Sequence, residues 1–501
     1  MTSQEGSQTI SLKLLIDKKN NRVVMAETEG DFVDILFSFF TMPMGTMVRL
    51  ISKNSKPATI GIITSLYKEV EKLEEQQLLQ TQACKSMLLH PRNPYENMCR
   101  KLKLNIDDTE PTKYYICADW NCSRRESGGL YTTFKNVRCN CGKMMDKEIL
   151  MAKEVVAARP DQGDGGRVFL GETNQFMVTD DLQVEAMSPT TIVTLLHKLG
   201  VKDMGSLQET TLSIGSEEIL NLLEGSLFSK TPLTDVFLRK REFTSEGLKY
   251  EMGDELQSSW DYGSSMTLKL MMSKSMNKVL YAEAKEDMVN FLLSILTFPL
   301  GSILQLLGGK SSLGSMDNLY NSVHRSCDYG GGLSCLLQRP NLCRGFGCSS
   351  NPLNVNETET AQPPYSLWCR SYASGQNKTD PYTGYLTTKR PNINAITDCL
   401  SQLRLVNPKS PTSETVEHRG GFVKRPAKFM VTDNLVFTPL ASISSLSFLK
   451  SAEFSLDDLE VRMINVGWME ALRILKASLF SNTVLTDALV NFGLKIPKQE
   501  N

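Results

Sequence analysis

Residues 12–45, LKLLIDKKNNRVVMAETEGDFVDILFSFFTMPMG, return without a gap at 268–301 as LKLMMSKSMNKVLYAEAKEDMVNFLLSILTFPLG, identical at 15 of 34 positions. That is a duplication, and no other feature constrains the fold as much, because whatever one copy builds the other must build from related residues. Later segments repeat as well. FMVTDDL at 176–182 matches FMVTDNL at 429–435, and SLFSKTPLTD at 226–235 matches SLFSNTVLTD at 478–487 in 8 of 10 positions. The offset falls only from 256 to 252 along the chain, so the copies differ by few residues net.

Within each copy the apolar spacing defines the elements. Residues 12–16 and 23–26 are β-prone runs around Asp17-Lys18-Lys19-Asn20-Asn21, and 268–272 and 279–282 repeat them around Asn277. Asn tolerates the left-handed backbone of a tight turn, so both read as hairpins. Phe32, Val33, Leu36, Phe39 and Phe40 then recur at helical spacing after Gly30 or Asp31, as do Met288, Val289, Leu292, Ile295 and Leu296. These stripes are candidate core, and both helices are expected to stop before Pro43 and Pro299, where the amide hydrogen is missing. A short helix at 44–51, one long helix from about residue 59 to 89, helices at 191–199 and 442–450, and a last helix in each copy with Ile219, Leu220, Leu223 and Leu227 or Ala471, Leu472, Leu475 and Leu479 inward complete the reading.

Hairpins alternating with single helices, without parallel-strand crossovers, predict an α+β fold: a tandem hairpin-plus-helices unit with small, mostly antiparallel sheets. The expected division is a first copy at 10–238 carrying a cysteine-rich insert at about 90–145, a polar linker at 239–265, and a second copy at 266–495 whose insert is degenerate.

The insert carries the one pattern with metal chemistry. YYICADWNCSRRESGGLYTTFKNVRCNCGKMM places Cys117-x4-Cys122, then Cys139-x-Cys141 followed by Gly142. Each pair is a local chelate, and four thiolates close a tetrahedral zinc shell. Gly142 leaves backbone amides free to approach the sulfurs. Three chemistries fit the pattern: one structural zinc on Cys117, Cys122, Cys139 and Cys141, reduced thiols packed as small hydrophobes, or a redox pair. His90 and Cys99 lie upstream as alternative ligands. With every position filled by sulfur, a zinc here is structural and offers no open position for substrate. The second copy keeps Cys369 opposite Cys117 but has nothing opposite Cys122, Cys139 or Cys141. Among its other cysteines, Cys327, Cys335, Cys343 and Cys348 are spaced by seven, seven and four residues among glycines, a weaker pattern for a second site.

Composition narrows the function classes. The 55 basic and 56 acidic side chains leave a net charge of −1, which supplies no global attraction for nucleic acid or an acidic membrane. A nucleic-acid reading would need a local stripe beside the insert, with Arg124, Arg125, Lys135, Arg138 and Lys143 as its residues. Arg239-Lys240-Arg241 reads as a solvated helix end. The polar N-terminus lacks the apolar core of a signal peptide and no run is long enough to cross a membrane, so an intracellular protein with reduced thiols is expected.

Nucleotide-loop, nucleophile-elbow and HExxH motifs are absent from the sequence, and none of the four histidines, His90, His197, His324 and His418, stands in a catalytic motif. The repeated Thr-Asp pairs, Thr179-Asp180 with Thr432-Asp433 and Thr234-Asp235 with Thr486-Asp487, read as turn and helix-cap chemistry.

The paired LKLL, FMVTD and SLFSxTxLTD segments and the cysteine-rich insert resemble, over nearly the whole chain, the plant proteins grouped as the domain of unknown function 674 family. That resemblance implies a plant intracellular protein and a shared fold, with no activity attached. The expectation is a non-enzymatic interaction module or scaffold with a structural zinc in the first copy and a protein partner. The alternatives are a small-molecule binder or enzyme using a cleft between the copies, and a zinc-braced nucleic-acid binder.

Overall fold

A computed structural model describes residues 8–73, 78–123, 129–151, 168–170, 175–244, 265–326, 333–358, 366–370, 384–387, 396–425, 427–440, 450 and 455–491. The first sheet contains β1 (Ile10–Asp17), β2 (Arg22–Thr28), β3 (Phe176–Thr179), β4 (Val184–Ala186) and β5 (Leu207–Ile214). Its order is β5-β1-β2-β3-β4, antiparallel throughout. The second contains β6 (Met266–Ser273), β7 (Lys278–Lys285), β8 (Lys428–Thr432), β9 (Phe437–Pro439) and β10 (Leu459–Val466) in the corresponding order β10-β6-β7-β8-β9. The likeness extends to local detail. A register shift falls between Leu15 and Ile16 and again between Met271 and Met272, and Asn21 and Asn277 both turn their hairpins at φ 46°. The α+β class and the hairpins expected from the sequence are what the chain adopts.

Helices Gly30–Ser38 and Glu286–Ile295 follow the hairpins and end ahead of Pro43 and Pro299. Their expected inner residues are fully buried, but so are Ile35 and Phe37 on the other side. The reason is that Gly30–Ser38 lies between its own strands, β1 and β2, and the second-copy helix Met316–Ser326; even Asp34 is buried, its carboxylate accepting from the amides of Val168, Phe169 and Leu170.

The copies meet backbone to backbone. Leu300 N donates to Met42 O at 3.0 Å and Met44 N to Phe298 O at 2.9 Å, so Pro43 and Pro299 face each other across the junction. Gly61 and Gly314, both at φ +42°, press against the opposite copy: a Cβ on Gly61 would lie 2.4 Å from Ser478 O, and one on Gly314 2.5 Å from Ser226 O. Buried side chains from both copies join in one hydrophobic cluster. Close approach of this kind admits only glycine.

One expectation is corrected. The long helix from residue 59 to 89 is two helices, Gly61–Lys72 and Gln82–Leu89. Between them Leu79 pairs with Val423 of the second copy, Gln80 N donating to Phe422 O at 2.8 Å and Lys424 N to Leu78 O at 2.9 Å. Strand pairing with a distant segment overrides the local helical signal. The expected helix at 191–199 is present as Pro189–Lys198, capped by Ser188, whose side chain accepts from Thr191 N. Its counterpart at 442–450 lies almost entirely outside the described residues, as do residues 245–264 of the expected linker.

Each insert supplies three strands to one closed barrel. Tyr114–Ile116, Gly129–Thr132 and Lys147–Met151 come from the first copy, and Ser366–Arg370, Gly384–Thr387 and Ile396–Leu405 from the second. In each triplet the first strand pairs antiparallel with the other two. Two parallel seams then join the copies, Tyr385 and Leu386 opposite Leu150 and Met151, and Leu403, Arg404 and Leu405 opposite Gly129, Leu130 and Tyr131. Closure removes the sheet edges that a three-stranded insert would otherwise expose.

Candidate metal centre

Cys117 follows directly on the barrel strand Tyr114–Ile116. The chain then turns on Asp119, which accepts from Asn121 N through its side chain at 3.0 Å and from Cys122 N through its carbonyl at 3.1 Å, setting Cys122 in the short helix Trp120–Ser123. The second pair sits on the tip of a small hairpin. Strands Val137–Arg138 and Met144–Met145 pair, Cys139 N donates to Lys143 O at 2.8 Å, and Gly142 N donates to Cys139 O at 2.8 Å with Gly142 at φ +86°. A glycine in the left-handed region brings the chain around within one residue of Cys141.

The two turns bring all four sulfurs within 4.8 Å of one another. Cys117 Sγ lies 3.4 Å from Cys141 Sγ, and Cys122 Sγ 3.6 Å from Cys139 Sγ. A tetrahedral zinc with bonds of about 2.3 Å holds its sulfurs about 3.8 Å apart, so the spacing fits that ion. Both close pairs run from one sequence chelate to the other, so the two chelates converge on one point. Cys117 and Cys139 are buried, at 1% and 2% exposed, whereas Cys122 and Cys141 are partly open. A single cluster of this kind occurs among the described residues.

Electrostatics separate the thiols. Burial pushes Cys117 well above the ordinary thiol range and Cys122 up to about 11. Cys141 is drawn down to about 7, first by the Lys143 backbone amide, which favours its thiolate. A cation entering the set therefore meets one sulfur near its ionised form, and its own charge would draw off the remaining protons. The turns are also clamped to each other. Ala118 N donates to Met144 O at 3.1 Å, and Lys143 Nζ pairs with Asp119 Oδ2 at 2.9 Å. Asp119 escaped the sequence reading. Its signal was the short Asp-x-Asn turn set inside the first chelate, a common way for Asp to bond its own backbone two residues on.

His90 and Cys99 are elsewhere. His90 Nδ1 accepts from Arg49 Nη1 at 3.1 Å, and Cys99 is buried beside Thr41 Oγ1 at 3.5 Å and Asn93 Nδ2 at 3.6 Å. Among the basic candidates, Arg124 and Arg125 lie outside the described residues, Lys143 is paired with Asp119, and Lys135 and Arg138 are exposed. Of the second-copy cysteines, Cys343 donates to Arg92 O at 3.3 Å and Cys348 lies 3.8 Å from Lys409 Nζ; Cys327 is outside the described residues.

The Thr-Asp pairs do the work of caps. Asp180 accepts from Thr234 N and Oγ1 at 2.8 and 2.7 Å, and Asp433 accepts from Thr486 N and Oγ1 at 2.8 and 2.8 Å. Each threonine oxygen in turn receives a strand amide, Val23 N or Val279 N. Arg239 ends the turn after Thr234 as an ion pair with Asp235 at 3.3 Å, and Lys240 adopts the left-handed cap at φ 47°. His197 is exposed in the last turn of its helix. Among the described residues no helix is long and apolar enough to cross a membrane.

A family model described as Protein of unknown function (DUF674) matches residues 6–469. No curated protein and no solved structure matches the chain.

Proposed function

Since the chain belongs to the family described as Protein of unknown function (DUF674), whose description assigns no chemistry, we propose a role read from the site itself: a non-enzymatic interaction scaffold in which one structural zinc, held by Cys117, Cys122, Cys139 and Cys141, braces the first insert. The observation that carries it is the closed set of four sulfurs at tetrahedral spacing. Four sulfur ligands leave no position for water or substrate, so the metal acts through the fold. It acts at a consequential place, because the strands that lead into and out of the cluster are staves of the barrel that joins the two copies. Protein is the partner class proposed, since a rigid two-copy frame without a catalytic motif serves to present surface.

Elemental analysis of protein purified without added metal tests this, with Cys139→Ser/Cys141→Ser as the comparison. About one zinc per chain, lost in the double variant, is expected. Metal-free native protein with four titratable thiols would overturn the zinc, and a specific turnover abolished by one point substitution would overturn the scaffold.

A second reading, small-molecule binding, rests on a cavity of about 500 Å³ on the first copy. It opens between β2, β3 and helix Pro189–Lys198, with Val24, Met177 and Leu195 on its apolar side and Asp180 and Arg22 on its polar side. That volume suits a drug-sized ligand. Its lining comes from the first copy alone, so the reading is a pocket within one copy and not a cleft between two. Thermal-shift screening of the native chain against Asp180→Asn tests it, a ligand-dependent shift lost in the variant being expected.

A further inference from the structure

We propose that a cavity of about 380 Å³ beside the first insert, built around Arg92, binds a phosphate group. It lies between helix Gln82–Leu89, the loop at 108–113 and the turn after the barrel strand Gly129–Thr132. Its lining carries four permanent cations, Arg49, Arg92, Lys113 and Lys135, against two carboxylates, Asp108 and Glu110. The excess of two positive charges matches a phosphate dianion.

The individual partners say where the excess resides. Arg49 is committed: it donates to Asp108 Oδ1 through Nη2 at 2.6 Å and Nε at 3.2 Å, and to Leu89 O at 2.9 Å. Lys113 is shared with Glu110 at 3.2 Å on the surface. Arg92 is different. A guanidinium has five N–H donors, and among the described residues Arg92 places only two, Nη1 on Thr112 Oγ1 at 2.8 Å and Nη2 on Thr133 O at 2.7 Å. No carboxylate forms an ion pair with it among the described residues, and its Nε is buried without an acceptor. The Phe134 ring holds it flat, 4.8 Å from the guanidinium carbon. Planar and fixed, with one N–H of Nη1 and one of Nη2 still unplaced, such a group suits recognition of an oxyanion. Lys135 is exposed beside it without an ion-pair partner among the described residues, and His90, whose Nδ1 already accepts from Arg49, has its other ring nitrogen free to donate.

The second copy supplies the contrast. Tyr67 and Tyr320 donate to Leu89 O and Gln338 O, and Thr46 and Ser302 donate to Pro91 O and Pro340 O, which aligns the loops residue by residue and sets Asn341 where Arg92 stands. At this position the guanidinium belongs to the first copy only, while the second-copy loop carries Arg339 opposite His90.

Isothermal titration of the full chain at fixed ionic strength, with inorganic phosphate and with glycerol phosphate, tests the site. Saturable binding is expected, weakened about tenfold or more in Arg92→Asn and several-fold in Lys135→Glu. Tighter binding of glycerol phosphate would identify a phosphomonoester as the ligand, and tighter inorganic phosphate the free ion. Lys135→Glu is a surface change, so it decides the matter if Arg92→Asn does not fold. No saturable heat with either probe, or unchanged affinity in Lys135→Glu, would overturn the proposal.

Discussion

The two inserts make the same three-stranded unit with different chemistry. In the first, Cys117 leads into a four-sulfur cluster and Arg92 is held against Phe134 on the wall of a cavity; in the second, only Cys369 aligns with the cluster, and Asn341 stands in for the arginine. The two five-stranded sheets correspond strand for strand, down to a register shift and a left-handed asparagine in each hairpin. The difference teaches that the common frame needs neither metal nor guanidinium to form its sheets. What the first copy adds is concentrated where its insert meets the second.

The largest break of this comparison is loss of the four-sulfur cluster and of the zinc proposed there. Structural zinc contributes on the order of 10 kcal/mol to the small modules it organises. Cys139→Ser/Cys141→Ser should therefore strip hydrogen-exchange protection from residues 114–116 and 129–132 and, through the seam at Leu403–Leu405, from the second-copy strand as well. The two sheets β1–β5 and β6–β10 should keep theirs. Equal protection of the barrel in the variant and the native chain would show that the cluster braces nothing.

Next in size is the glycine exchange at the junction. Gly61→Ala and Gly314→Ala each combine a left-handed backbone with a Cβ driven into a carbonyl oxygen of the other copy. Each should cost about 3 kcal/mol or more in urea unfolding, and the two costs should agree within about 1 kcal/mol. A cheap Gly314→Ala beside a costly Gly61→Ala would mean that the junction is symmetric in shape but not in load.

A third test uses pH. Burial lifts Asp180 to about 6 despite the two bonds from Thr234, and lifts Asp433 too, where nearby Lys278 works against the rise. A carboxyl whose pKa is higher folded than unfolded binds its proton more tightly in the native state. Its stabilisation is full below about pH 4 and is lost as pH rises through about 6, by about 3 kcal/mol at most for Asp180. Asp180→Asn should flatten that part of the stability profile, and Asp433→Asn should flatten it less. A profile that rises over this interval and is unchanged by Asp180→Asn would contradict the burial argument.

Much of the frame was legible because its signals are local: Asn21 and Asn277 at turns, Pro43 and Pro299 at helix ends, and two short chelates whose members lie on one loop. The barrel was not. Its strands are as short as Tyr114–Ile116, and its seams join residues as remote as Leu150 and Tyr385, a pairing no periodicity announces. The break at Leu79 was hidden for the same reason, since its partner is Val423. Arg92 was passed over because its meaning lies in missing partners. Only the folded chain shows that Glu96, four residues on, forms no ion pair with it among the described residues and is hydrogen-bonded to it through Thr112, whose hydroxyl donates to Glu96 Oε2 at 2.6 Å.

The smallest effect asks whether the sulfurs are positioned by their own turns or by the clamp between them. Lys143 and Asp119 tie the two chelates together from outside the sulfur shell, and at the offset that aligns Cys369 with Cys117 the second copy has Ser371 where Asp119 stands. Because the pair is solvent-exposed, removing it should leave the melting temperature at saturating zinc unchanged. It should still loosen the geometry, so Lys143→Ala is expected to weaken zinc binding about tenfold in competition with a chromophoric chelator. The Lys143 amide that donates to Cys141 is backbone and survives the substitution, which keeps the thiolate preference in place while the clamp is gone. Unaltered zinc affinity in Lys143→Ala would assign the positioning to the two turns alone, and the aspartate at 119 would then matter for its bonds to Asn121 and Cys122 and not for its charge.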